Sequence, residues 1–112
     1  MFAFLYGLKS VAPSALQQRA GACTVIDVNS AQSWHAAHVP GAQRLDALTF
    51  TEADLPADPA APLVFYCSNP LCRKAPNAAR RARQMGFTDV AVMSAGIKGW
   101  IEAGLPTQAA RS

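Results

Sequence analysis

The sequence predicts an α/β domain, with a parallel sheet covered by helices on both faces. Three short apolar runs, at residues 23–28, Leu63–Tyr66 and 90–93, are rich in β-branched and aromatic side chains. They lack the in–out alternation of a sheet with one wet face, as expected of buried parallel strands. Segments with helical punctuation lie between them, and strand–helix alternation implies right-handed crossovers.

Taken in order, residues 1–8 are apolar and are expected to supply a first strand; they lack a basic n-region and are too short to span a bilayer. Pro13 stands where a first helical turn tolerates proline, and Gly21 closes a helix over 14–20. After the strand at 23–28, Ser30 can cap a short helix through Ala36. The stretch 49–62, rich in Pro, Asp and Ala, reads as a surface loop with at most one helical turn. Pro76 opens a stretch with Ala79, Ala82 and Met85 on one face and Gly86 at its end. A last short helix over 99–103 stops at Gly104 and Pro106. With no repeat, low-complexity tract or linker, residues 1–112 read as one domain with a core at about 9–106.

Of the 112 residues, 51% are hydrophobic and 15% charged, the balance of a folded globular chain and not a disordered one. The net charge of +3 is unevenly spread: residues 59–88 contain no Asp or Glu but hold Arg73, Lys74, Arg80, Arg81 and Arg83. Such a patch attracts anions. Nucleic acid is not the expected partner, because no zinc-finger spacing, stacking platform or basic tail accompanies the charge. A small anion at the head of a helix requires fewer assumptions. Three cysteines, an odd count, argue against a secreted disulfide framework, and free thiols suit a reducing cytoplasm. A monomer with no cofactor, no metal and no membrane attachment is expected.

The segment Leu63-Val64-Phe65-Tyr66-Cys67-Ser68-Asn69-Pro70-Leu71-Cys72-Arg73-Lys74 carries the most chemistry. A buried strand ends at Cys67, and a short loop leads into the helix begun near Pro76. Ligands of open α/β sheets bind at the carboxyl ends of strands. Backbone amides, the positive end of the following helix, Arg73 and Lys74 should all favour thiolate at Cys67, below the ordinary thiol value of about 8.5. An isolated cysteine at a strand end is usually a small buried hydrophobe; the order strand, Cys, loop, Arg, helix favours a nucleophile instead.

These segments resemble the rhodanese-like family. Val25-Ile26-Asp27-Val28 is similar to its "IDVR" strand, with Asn29 where Arg is usual. Trp34-His35-Ala36-Ala37-His38-Val39-Pro40-Gly41-Ala42 is similar to its "Y-x-x-G-H-I-P-G-A" turn. Ala78-Ala79, Met85-Gly86-Phe87, Gly96 and Gly99-Trp100-Ile101-Glu102-Ala103-Gly104-Leu105-Pro106 resemble its C-terminal pattern. The likeness runs over about 11–106. It implies a parallel sheet of about five strands flanked by helices. By the same resemblance, Cys67 accepts sulfane sulfur from a small anionic donor such as thiosulfate, holds it as a persulfide and passes it to a thiophilic acceptor. The amides of Ser68, Asn69, Leu71, Cys72 and Arg73 are implied as the cradle, with Arg73 on the donor; a sulfur-acceptor protein is the implied partner.

Two departures keep other readings open. Arg73 is six residues after Cys67, a C-x5-R spacing that resembles phosphatases of the cell-cycle kind and arsenate reductases of the same fold, although Pro70 offers no N–H. A non-enzymatic sulfur-relay module would look the same. Cys72, in the same loop, can resolve a persulfide, form a protective disulfide or simply pack. Elsewhere the plainer reading is preferred. Asp27 caps loop amides, His38 orders the turn at Val39-Pro40-Gly41, and His35 is exposed. Trp34 and Trp100 anchor helices, Cys23 is core, and the Arg80–Arg83 stretch is a solvated helix face. A zinc site from His35, His38, Cys67 and Cys72 would block the nucleophile and lacks tight Cys spacing.

Overall fold

The computed structural model describes residues 8–110, so most of the apolar run at 1–8, expected as a first strand, lies outside the described residues. Strand β1 is Lys9–Ser10, followed by helix α1 over Pro13–Gln18 with proline in its first turn. Strand β2 (Thr24–Asp27) leads to α2 (Ala31–Ala36), whose first turn is capped as expected: the Ser33 amide donates to the Ser30 hydroxyl at 3.2 Å. Strand β3 (Gln43–Arg44) follows; it is two residues long and partly exposed, too short and polar to leave an apolar run in the sequence. The loop at 49–62 contains one 3-10 turn, Glu52–Asp54. Then come β4 (Leu63–Tyr66), α3 (Lys74–Gln84), β5 (Val90–Val92) and α4 (Gly96–Glu102).

The five strands form one parallel sheet in the order β1-β5-β4-β2-β3. Strand β4 lies at its centre, pairing Leu63 with Thr24 on one side and Val90 on the other. Every residue of β4 is buried, and alternation along the strand sends successive side chains to opposite faces. Leu63, Phe65 and Cys67 enter the cluster beneath α3, with Ala75, Ala78, Ala79 and Ala82; Val64 and Tyr66 enter the other, with Leu16 of α1 and Trp100 of α4. Four small residues let α3 lie close on the sheet, directly behind the loop that leaves β4.

Two helices start earlier than their breakers suggest. Helix α3 begins at Lys74 and carries Pro76 in its first turn, where the missing N–H has no intrahelical partner to lose. Helix α4 begins at Gly96, three residues before the expected start. Arg81 also departs from expectation. It is not a solvated side chain: its guanidinium donates to the carbonyls of Ala47 at 3.0 Å and Phe50 at 2.9 Å and lies 4.4 Å above the Phe50 ring. It thereby ties the 44–50 connection to α3. No described helix is long and apolar enough to cross a membrane.

Candidate active site

Cys67 is the first residue beyond β4, and its side chain is buried against α3. The loop 68–73 then turns back on itself. Asn69 directs that turn: its Oδ1 accepts the Leu71 amide at 2.9 Å, and its carbonyl accepts the Cys72 amide at 3.1 Å. The fold brings Cys72 back over Cys67, whose thiol lies 3.5 Å from the Cys72 carbonyl oxygen. The side chains of the two cysteines interact, which raises the Cys67 thiol and lowers that of Cys72.

This geometry corrects the expected ionisation of Cys67. Burial, assisted by its hydrogen bond to Cys72, pushes the Cys67 thiol up to about 12, although the Ala75 and Ser68 amides act the other way. Cys72 is also penalised by burial, yet its thiol is held below the ordinary value. The Cys67 hydrogen bond, the Lys74 and Ser68 amides and the Lys74 charge outweigh the penalty. Of the two thiols, Cys72 is therefore the one that ionises first. The helix head and basic residues do favour a thiolate, but at the sulfur nearer to water.

Between Cys67, Cys72, Ala75, Pro76, Met93 and Ser94 lies a small cavity of about 30 Å3, above the roughly 10–15 Å3 that one water requires. A larger cavity of about 440 Å3, lined by Leu16, Cys23, Val25 and Trp100, shares no residue with it and opens on the other face.

The residues named for substrate binding divide by what their polar groups already do. The Ser68 amide reaches both sulfurs, and its hydroxyl donates to Asn29 Oδ1 at 2.7 Å. The amides of Leu71 and Cys72 are held inside the loop by Asn69, Pro70 has none, and the Leu71 side chain is 88% exposed. Arg73 is exposed at the cap position of α3, with its carbonyl accepting the Asn77 amide at 3.1 Å. The amides that reach the sulfurs from beyond the loop are those of Lys74 and Ala75, in the first turn of α3.

Gly96 and Asn29 position the site without having been singled out for it. The amides of Ile97 and Lys98 donate to the carbonyls of Cys67 at 2.9 Å and Ser68 at 3.0 Å, so the first turn of α4 clamps the start of the loop. Gly96 permits this approach. Its φ is +69°, and a Cβ there would stand 2.5 Å from the Ser68 carbonyl carbon. Asn29 is buried, and its Nδ2 is without a hydrogen-bond partner among the described residues. The sequence marks Asn29 only as a departure from the strand pattern it resembles and not for this contact, which joins residues 39 positions apart.

Asp27 and His38 hold structure around the site. Asp27 accepts the Asn29 amide at 2.7 Å and the Tyr66 hydroxyl at 2.7 Å, and that hydroxyl accepts the Val39 amide at 3.0 Å. His38 stacks on Trp34 at 4.1 Å, with Nδ1 2.6 Å from the Trp34 carbonyl oxygen.

Comparison with known proteins yields relatives with different roles. The chain is 34% identical, over 92 residues, to the HTH-type transcriptional regulator Rv0324 of Mycobacterium tuberculosis; the match covers 80% of this chain and 39% of the regulator. The chain thus spans about two-fifths of that relative. The fold is similar to thiosulfate sulfurtransferase from Pseudomonas aeruginosa (TM-score 0.80, 24% identity, 94% of this chain and 20% of that one). It is also similar to a protein of unknown function from Rhodopseudomonas palustris, described as a possible tyrosine phosphatase (TM-score 0.72, 21% identity, 90% and 85%). At such identities the likeness speaks for the fold, and one fold hosts several chemistries. The family itself is shown: the model of the rhodanese-like domain matches residues 12–103, and this chain belongs to that family.

Proposed function

We propose that this domain is a sulfurtransferase in which Cys67 takes sulfane sulfur from a small anionic donor such as thiosulfate. In the first half-reaction a Cys67 thiolate attacks the donor's outer sulfur. The donor's S–S bond breaks, sulfite leaves with the bonding pair, and Cys67 carries a persulfide. In the second, a thiophilic acceptor, either a small nucleophile or a protein thiol, attacks the outer sulfur and restores the Cys67 thiolate. The nucleophile arises within the thiol pair: moving the shared proton from Cys67 to Cys72 transfers the charge to Cys67. Arg73, closing the loop, meets the anionic donor with its planar fork of N–H groups.

The single observation that carries this reading is the size and lining of the cavity at Cys67, about 30 Å3. One added sulfur suits it, and a tetrahedral oxyanion does not. Phosphoryl or arsenyl chemistry would need most loop amides aimed inward at the charge. Those of Leu71 and Cys72 are engaged by Asn69, and Pro70 has none. The C-x5-R spacing therefore lengthens the loop without opening an oxyanion cradle.

Intact mass of the Cys72→Ser variant, in which the second loop thiol cannot remove the added sulfur, is measured after thiosulfate and again after cyanide to test the reading on Cys67 alone. The expected result is a gain of one sulfur atom that cyanide removes, absent in Cys67→Ser although its circular dichroism is unchanged. No sulfur gain, or Cys67-dependent hydrolysis of an aryl phosphate faster than thiosulfate turnover, would overturn it.

A further inference from the structure

The second cysteine of the loop has a consequence that sulfur transfer alone does not require. Cys67 and Cys72 line the same small cavity, and the turn built on Asn69 brings Cys72 over Cys67, whose thiol lies 3.5 Å from the Cys72 carbonyl oxygen. An outer persulfide sulfur placed in that cavity would lie against both residues. An ordinary transfer domain needs only the first thiol.

We propose that Cys72 is a resolving thiol, converting the Cys67 persulfide into a Cys67–Cys72 disulfide and releasing hydrosulfide. The proposal rests on the persulfide reading above. The Cys72 thiolate attacks Cys67 Sγ, forming the Sγ–Sγ bond. The bond between Cys67 Sγ and the outer sulfur breaks, and its electron pair leaves with the outer sulfur, which departs as hydrosulfide. The Cys72 sulfur is oxidised and the departing sulfur reduced by the same amount. Turnover then requires a dithiol reductant, which opens the disulfide and is itself oxidised to a disulfide.

Three features suit Cys72 to this role. It ionises before Cys67, and a thiol whose value lies nearer ambient pH is the better attacking group in exchange. It lines the same small cavity as the sulfur it would attack, and the Cys67 thiol lies 3.5 Å from its carbonyl oxygen. The loop around it is exposed at Ser68, Pro70, Leu71 and Arg73, so the closer approach a disulfide demands, an S–S length of about 2.05 Å, disturbs little core packing. All three cysteines of the resting protein are free, so the disulfide would be a product of the reaction. The domain would then release sulfide at the expense of a dithiol as well as transfer sulfane sulfur.

The test uses the whole chain under anaerobic conditions without reductant, comparing wild type with Cys72→Ser after loading to completion with thiosulfate. Wild type is expected to release one equivalent of sulfide per chain and to lose the mass of two hydrogen atoms, with peptide mapping joining Cys67 to Cys72. Cys72→Ser is expected to retain the mass of one sulfur and release sulfide only at the no-protein rate. If wild type also retains the added sulfur and forms no disulfide, persulfide chemistry stands and the resolving role is overturned. If neither protein gains sulfur, the persulfide reading fails and the resolving role falls with it.

Discussion

Tyr66 and Cys67 are consecutive residues at the end of one central strand, yet they occupy opposite faces of the sheet and serve opposite ends. The Tyr66 hydroxyl is saturated. It donates to Asp27 at 2.7 Å, accepts the Val39 amide at 3.0 Å, and its proton is held more tightly than in water by burial and the Asp27 charge. Its surroundings leave nothing for it to react with. The Cys67 thiol has only weak sulfur contacts, a cavity of about 30 Å3 beside it, and a second thiol that ionises before it. Burial alone does not separate a structural polar group from a reactive one; saturation of its partners and the presence of space do.

Breaking the reactive side of this comparison should have the larger effect. Gly96→Ala places a Cβ 2.5 Å from the Ser68 carbonyl carbon at a φ of +69°, so the loop must shift or the helix retreat. Thiosulfate-to-cyanide kcat/KM is expected to fall by roughly ten- to a hundredfold, the range a misplacement of about an ångström produces. Steady-state kinetics beside near-wild-type far-ultraviolet circular dichroism would show it; unaltered kinetics would mean that α4 does not hold the loop.

On the structural side, Tyr66→Phe leaves the Val39 amide and Asp27 Oδ2 without their partner, at a cost of about 1–3 kcal/mol in unfolding free energy. Sulfur transfer per folded molecule should be retained. The loss should grow with pH. Burial already holds the Asp27 carboxyl above its ordinary value, and the Tyr66 hydrogen bond opposes that rise, so removing the hydroxyl raises it further. A carboxyl with a raised folded value favours the fold while protonated, below its unfolded value. It loses that contribution as pH climbs through the folded value. Urea titrations across the acid-to-neutral range would reveal the slope.

The smallest change expected is a displacement along the pH axis. If the thiol pair supplies the nucleophile, persulfide formation in wild type rises as the pair loses its first proton, below the ordinary thiol range. Cys72→Ser removes the partner that ionises first, and the rising limb should move upward, into the range that burial of Cys67 sets once the contribution of Cys72 is gone. Stopped-time loading assays at saturating thiosulfate would check it; superimposable profiles would exclude proton sharing between the sulfurs.

Much of this molecule is legible in one dimension because its causes are local. The apolar runs at Leu63–Tyr66 and 90–93, the capping Ser30 and the breakers Gly21, Gly86 and Gly104 declare a parallel α/β sheet. Each reports a backbone preference or a periodicity within a few residues. Cys67 and Arg73 stand out for the same reason, a strand end and a helix start within one short stretch. The two-residue β3 and the early start of α4 are decided by partners elsewhere: β2 holds the first at the sheet edge, and the carbonyls of Cys67 and Ser68 receive the second.

The electrostatics of the site belong wholly to the tertiary structure. From the sequence, the helix head and the basic residues favour a thiolate at Cys67. Folding buries that sulfur under α3 and leaves Cys72 only half-buried, so desolvation outweighs the opposing influences at one sulfur and yields to them at the other. The same holds for the cradle, where Asn69 claims two loop amides before any ligand can, and for Arg81, which leaves the basic face to hold Ala47 and Phe50. Residue types and their spacing determine which groups are available. Burial and competition among hydrogen-bond partners depend on contacts between residues distant in sequence, and these decide which groups remain free to act.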